Sequence, residues 1–231
     1  MQTFTDAIQF LGDNLQLIWD KTVEHLLLSG AAIGVAILIA IPVGVWLGHL
    51  HRGSFLAINV SNVGRALPSL AVISIGLGVL GVGFLNVMVA LVILAAPVML
   101  TNAYVAVEQV DKDAVQAARA MGMQPRQVLL NVELPLALPL MFAGIRTAAV
   151  YVVATATLAA LAGGGGLGDI IVNQPTYGPE GVVAGSIAIA VLAFATEGAF
   201  ALLQRAVTPR GLRKRGEQVL LEPTITPVTN P

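Results

Sequence analysis

The chain has 231 residues, 56% of them hydrophobic and 11% charged, with a mean hydropathy of +0.83. Soluble domains carry about a quarter charged residues, so charge cannot coat this surface, and its natural solvent is lipid. The absence of cysteine excludes disulfides and thiolate metal sites. A net charge of −1 says less than where the charges fall.

Residues 1–22 place Phe4, Ile8, Leu11, Leu15 and Ile18 at helical spacing, which predicts a short interfacial helix. The start, MQTFTDAIQFLGDN, lacks a basic stretch followed by an apolar core, so a cleaved signal peptide is not expected. A spanning helix needs roughly 20 apolar residues. Five segments qualify: 24–49, 55–80, 84–107, 136–162 and 181–204. With the N-terminus outside, one face receives Arg52, Arg65, Lys112, Arg119, Arg126, Arg146, Arg205, Arg210, Arg213, Lys214 and Arg215. The other receives only Lys21, which is the asymmetry positive-inside sorting requires. The expected fold is an all-α, multi-pass membrane protein, N-out and C-in. Its membrane unit covers 23–205, and a cytoplasmic tail, 206–231, ends in the proline-rich, disordered-looking EPTITPVTNP.

Between the third and fourth predicted spans, QAARAMGMQPRQVLLNVELP (116–135) interrupts the apolar pattern. Read as helix, Ala114, Ala117, Ala118 and Met121 share one face, while Lys112, Asp113, Gln116 and Arg119 take the others. Gly122 ends that helix in a left-handed cap. Pro125 opens a second short helix, where its missing N–H is not needed, with Val128, Leu129 and Val132 as the apolar stripe. Pro135 is expected to stop this helix just before the fourth span. From the residues alone, a self-packed connecting loop and a docking surface fit this elbow equally well.

The spacing separates the two. Ala117-Ala118, then Gly122, then after nine residues a β-branched residue, any residue and Leu134-Pro135, closely resembles the "EAA" loop of ABC importer permeases. Gln116 stands where that loop usually has Glu. The resemblance implies the type I ABC importer permease fold. It also implies a loop over 108–135 that inserts into a groove on an ATP-hydrolysing partner, through Gln116, Ala117, Ala118, Met121, Gly122, Leu134 and Pro135. The chain contains no GxxxxGK[ST] phosphate loop, so ATP and Mg are expected on the partner, with no cofactor on this chain.

LAALAGGGGLGDII (158–171) carries Gly163, Gly165 and Gly168 at dinucleotide-fingerprint spacing, but no strand precedes them, which rules that site out. A flexible linker is one alternative. The other is that Gly163, Gly164, Gly165, Gly166 and Gly168 break the fourth span, so that 167–172 folds back against the outer pore mouth. Non-helical backbone at membrane depth must be buried in protein or face water. ALPSLAVISIGLG (66–78) and GIRTAAVYVVATATLAALAGGGGLGDII (144–171) look like the permeases that import quaternary-ammonium osmoprotectants: glycine betaine, choline and carnitine. Methionine and related amino-acid permeases share GGGGLG. With the elbow, the likeness covers about 55–205. It implies a permease in the cell inner membrane that forms a pore as a dimer, with itself or with a homologous subunit. Two ABC ATPase subunits would dock on the elbows. A separate periplasmic or lipid-anchored substrate-binding protein is expected, since the chain ends soon after its last span, and no nucleic-acid partner is expected.

Arg65, Arg146 and Glu197 each fall about two turns inside the cytoplasmic end of a different span, where ionisable groups are costly and usually face the bundle interior. Either Glu197 pairs with Arg146 or Arg65 in an inner gate, or the arginines snorkel to the headgroups and Glu197 reaches water. Candidates for the pathway are Pro68, Ser69 and Ser74 in the second span, Asn102 in the third, and Tyr151, Thr155 and Thr157 in the fourth. The hydroxyls among them can instead bond back to their own helix carbonyls. With only seven Phe, three Tyr and two Trp, scattered along the chain, a tight aromatic cage for a cation is expected on the binding protein.

His25, His49 and His51 lie near span ends and are read as interfacial, since two-residue spacing is poor for chelation from one helix face. No nucleophile–base pair or carboxylate dyad occurs, so neither catalysis nor a metal site is expected. An ion-driven secondary transporter would place carboxylates near span centres, and this chain has none there. A scaffold that recruits a cytoplasmic protein without transporting anything is the third class.

Overall fold

The computed structural model describes residues 2–51 and 54–208. The predicted disordered tail and the tail's basic residues fall outside the described residues, as do Arg52 and the side chain of Arg65. Ten α-helices follow in order: α1 (Gln2–Asp13), α2 (Leu15–His49), α3 (Ser54–Ala66), α4 (Ser69–Leu80), α5 (Phe84–Glu108), α6 (Lys112–Ala120), α7 (Pro125–Val128), α8 (Leu134–Thr155), α9 (Gly168–Val172) and α10 (Gln174–Val207). A π-helical turn, Leu129–Glu133, joins α7 to α8, and a 3₁₀ segment, Ala156–Ala162, extends α8. Among the described residues there is no strand.

Helix α5 is the central post. Its Val87, Leu91, Ala95 and Met99 are buried with Ala32, Ala36 and Ala40 of α2 and Ala148, Ala149 and Val152 of α8. In lipid no hydrophobic drive brings helices together, so close packing of small residues does that work. Helix α2 supplies a ridge at four-residue spacing: Ala32, Ala36, Ala40, Gly44 and Gly48 are all buried. A β-carbon on Gly48 would stand 2.8 Å from the Tyr104 carbonyl oxygen, so α2 and α5 meet nearly backbone to backbone. A second core lies at the elbow end, where Val107, Val110, Val115, Ala118 and Val128 pack with Ala137 and Met141.

Four helical runs are long and apolar enough to cross a bilayer among the described residues: Leu15–His49, Phe84–Glu108, Pro125–Ala162 and Gln174–Val207. The second predicted span, 55–80, is not one helix. It breaks at Leu67-Pro68 into α3 and the shorter apolar α4. Proline has no N–H to donate and drives the residue before it out of the helical region; Pro68 itself is extended, with φ −65° and ψ 121°. The first span also starts earlier than predicted. Helix α1 ends at Asp13, and residues 15–22, assigned from sequence to an interfacial segment, already belong to α2.

Pro135 does not stop the elbow's second helix. That helix runs without a break from Pro125 through the fourth span. A proline inside an α-helix clashes with the carbonyl four residues back. Here the π turn takes up the extra residue, and the Leu134 N–H donates to the Leu129 carbonyl, five residues back. At the other end the glycine run interrupts the helix. Gly163, Gly165 and Gly166 have φ of 69°, 75° and 89°, values that suit glycine alone without strain. They turn the chain so that α9 folds back on the 3₁₀ segment and α10, with Leu167 and Ile170 fully buried.

Candidate functional site

The polar elbow forms a compact hook. Asp111 caps α6, its Oδ1 accepting from the Asp113 N–H at 2.9 Å. Gly122, with φ 85°, closes the helix, and the Met123 N–H donates to the Ala118 carbonyl at 3.2 Å. The inward face is Val115 and Ala118, the latter only 2% exposed. Gln116, Ala117, Arg119 and Ala120 point outward, and Met121 is 77% exposed. The predicted single face of Ala114, Ala117, Ala118 and Met121 is therefore divided. Ala118 seats the helix on the bundle, while Ala117, Met121 and Gly122 are open to a partner.

At the root of the hook lies a pair that the sequence did not reveal. His49, at the last turn of α2, brings Nδ1 to 2.5 Å from Glu133 Oε2, a hydrogen bond between the two side chains. Glu133 is fully buried within the π turn, and it borders a cleft of about 220 Å³ also lined by His51, Lys112, Gln116 and Arg119. His49, the last residue of the α2 span, thus ties α2 to the elbow. The available signal was Glu133 itself, a lone carboxylate among apolar neighbours.

A larger cleft, about 460 Å³, opens between α3, α5 and α8, lined by Gly64, Leu94, Val98, Asn102, Thr147 and Tyr151. Small-molecule sites are commonly about 300–1,000 Å³. Two predicted pathway residues, Asn102 and Tyr151, meet here, joined by Thr147, which the sequence reading did not select. The others go elsewhere. Thr155 is buried, the Thr157 hydroxyl donates to the Ala154 carbonyl at 2.8 Å, and Ser69 and Ser74 sit on α4. Pro68 sets the break that starts α4.

Arg146 and Glu197 do pair. Arg146 Nε donates to Glu197 Oε1 at 2.8 Å, and its Nη2 reaches the same oxygen. Arg146 Nη1 also contacts Gln204 Oε1 at 3.4 Å, and Gln204 Nε2 donates to the Pro139 carbonyl at 3.0 Å. These bonds close the seam between α8 and α10, whereas Thr147 and Tyr151 of α8 face the cleft.

The end of the bundle away from the elbow carries a second cluster. Lys21 Nζ reaches Glu24 Oε2 at 2.9 Å and Asp169 Oδ2 at 2.7 Å. Glu24 Oε2 also accepts from the Gly166 N–H at 3.0 Å. His25, fully buried, donates from Nε2 to the Val153 carbonyl at 2.8 Å. Among the described residues no group of His, Asp and Glu is arranged to hold a metal ion.

Comparison with known proteins agrees with this architecture. Two relatives from Bacillus subtilis (strain 168) are similar over nearly their whole length. The choline transport system permease protein OpuBB is 36% identical over 211 residues, 91% of this chain and 97% of that protein. The glycine betaine/carnitine/choline transport system permease protein OpuCB is 37% identical over 205 residues, 88% and 94% of the two chains. Among solved structures, the MetNI methionine ABC transporter in an inward-facing conformation superposes with a TM-score of 0.74 at 23% identity, covering 84% of this chain and 98% of that one. Its likeness is one of fold. Residues 22–209 match the family described as binding-protein-dependent transport system inner membrane component, and the chain belongs to that family.

Proposed function

We propose that the chain is a pore-forming subunit of an ABC importer for quaternary-ammonium osmoprotectants of the glycine betaine, choline and carnitine class. It acts in the cell inner membrane as a dimer, with itself or with a homologous subunit, and a separate binding protein delivers the solute. ATP and Mg belong to ATPase subunits that dock on the elbow. The observation that carries the substrate class is that the similar relatives, named for choline, glycine betaine and carnitine, match about nine-tenths of this chain.

The geometry supplies a mechanism. Closure of the ATPases around ATP would press on Ala117, Met121 and Gly122. Ala118, buried beneath them, transfers that load to the bundle. Helix α7, the π turn and α8 are continuous, so the displacement reaches Thr147 and Tyr151 at the cleft. A neutral lining of one amide, one hydroxyl and one phenol contacts a permanent cation weakly. Weak contact suits a pathway that must release its cargo, with tight capture left to the binding protein. The Arg146–Glu197 pair holds α10 to α8 during this motion, and a gate at that seam requires the pair to part.

Uptake of labelled choline, betaine, carnitine and methionine by the reconstituted complex tests the proposal. Transport of the first three, dependent on ATP and on the binding protein, is expected. Transport of methionine alone would transfer the chain to the amino-acid importers.

A further inference from the structure

We propose that α2 is a strut fastened at both ends, and that His49 and Glu133 at one end and Lys21, Glu24 and Asp169 at the other are positioning residues. Through them the elbow and the opposite mouth of the bundle move together. The inference rests on the function proposed above.

The strut has the reach. At about 1.5 Å per residue its 35 residues extend about 52 Å, well beyond a hydrocarbon core about 30 Å thick. It is packed along its length: Ala32, Ala36 and Ala40 are buried against α5, and toward the elbow end the Gly44 and Gly48 contacts leave no room against the α5 backbone. Each end holds a different irregular element. At the elbow end, His49 grips Glu133 within the π turn, and π turns inside helices recur at functional sites because they accept a change of register. At the far end, Lys21 and Glu24 grip α9 and the glycine turn through Asp169 and the Gly166 N–H.

Both gripped elements depart from regular helix, while α2 between them is one continuous helix, with Pro42 inside it, packed along α5. Load applied at the elbow reaches Glu133 first, then α2 as a body, then 166–169. Coupling of this kind is reciprocal: an event at the far mouth, such as arrival of the binding protein, biases the elbow equally. Two unrelated structural ties would instead act independently.

The readout is ATP hydrolysis by the complete complex, basal and with saturating binding protein and solute. In Lys21→Gln and Asp169→Asn, far from the ATPases, basal hydrolysis stays near wild type, while stimulation by the binding protein falls roughly five-fold or more. Glu133→Gln lowers the same ratio of stimulated to basal rate. The double variant Glu133→Gln/Asp169→Asn falls no further than the worse single variant. Lys21→Arg, which keeps the charge that reaches Asp169 and leaves Glu133 untouched, should keep stimulation near wild type where Lys21→Gln loses it.

Stimulation within two-fold of wild type in Lys21→Gln and Asp169→Asn, multiplicative losses in the double variant, or a loss in Lys21→Arg as large as in Lys21→Gln would overturn the strut. A wild-type complex whose hydrolysis ignores the binding protein would overturn the proposed function as well.

Discussion

A β-carbon on Gly44 would stand 2.6 Å from the carbonyl oxygen of Leu100, so the α2–α5 seam has no space for even one methyl group. Backbone cannot rotate aside as a side chain can. Gly44→Ala must push α2 off α5 and is expected to cost about 1–3 kcal/mol, the usual range for overpacking. Gly34, on the same helix, has nothing within 4 Å of its missing β-carbon. Gly34→Ala should be neutral or stabilise by up to about 1 kcal/mol through helix propensity. Thermal unfolding of the purified complex checks both: a lowered midpoint for the first and an unchanged or raised one for the second.

The division of the elbow face makes a labelling prediction. Single cysteines at Ala117 and Met121 should react rapidly with a maleimide and be protected when the ATPase is bound. A cysteine at Ala118 should react slowly in either state. Ala118→Leu should overfill the space beside Val115 and Val128 and cost about 1–3 kcal/mol. Rapid labelling at 118 would contradict the packing described here.

Asp111 is the cap of α6, and removing such a cap costs about 0.5–2 kcal/mol. Asp111→Ala should loosen the first turn of the hook without touching the exposed face at Ala117 and Met121. Faster amide hydrogen exchange over residues 112–116, with unchanged exchange in α5, is the expected result. Asp111→Asn or Asp111→Ser should restore protection, since either side chain can accept from the same N–H.

The Arg146–Glu197 pair is expected to support transport through its geometry. Arg146→Gln and Glu197→Gln should each slow uptake several-fold, with the double variant close to the slower single, because the two groups share one interaction. Full wild-type rates in both single variants would remove any gate role from the pair.

Much of this was legible in the sequence, for definite reasons. The spans declare themselves because lipid demands long apolar runs. The elbow does so because Gly122 and Pro125 enforce a cap and a helix start at fixed spacing. The fold-back after Gly163 follows from a run of glycines that no continuous helix would need. What stayed hidden depends on pairing across distance. His49 and Glu133 are 84 positions apart and Lys21 and Asp169 are 148 apart, and no local pattern announces such partners. The misreading of Pro135 as a stop has a different cause. A proline weakens a helix without always ending it: Pro42, Pro97 and Pro139 also lie inside helices here, and at Pro135 the preceding π turn carries the chain on. Pro68 does break its helix.

The most direct measurement of the central claim is solute uptake in sealed proteoliposomes holding this chain, its pore partner and the ATPase, supplied with binding protein and labelled choline, betaine or carnitine. Accumulation that requires both ATP on the elbow side and the binding protein on the other is the predicted result, lost when Gly122 is replaced by a residue that cannot hold the left-handed cap. Accumulation that persists without ATP, driven by an ion gradient instead, would contradict the account.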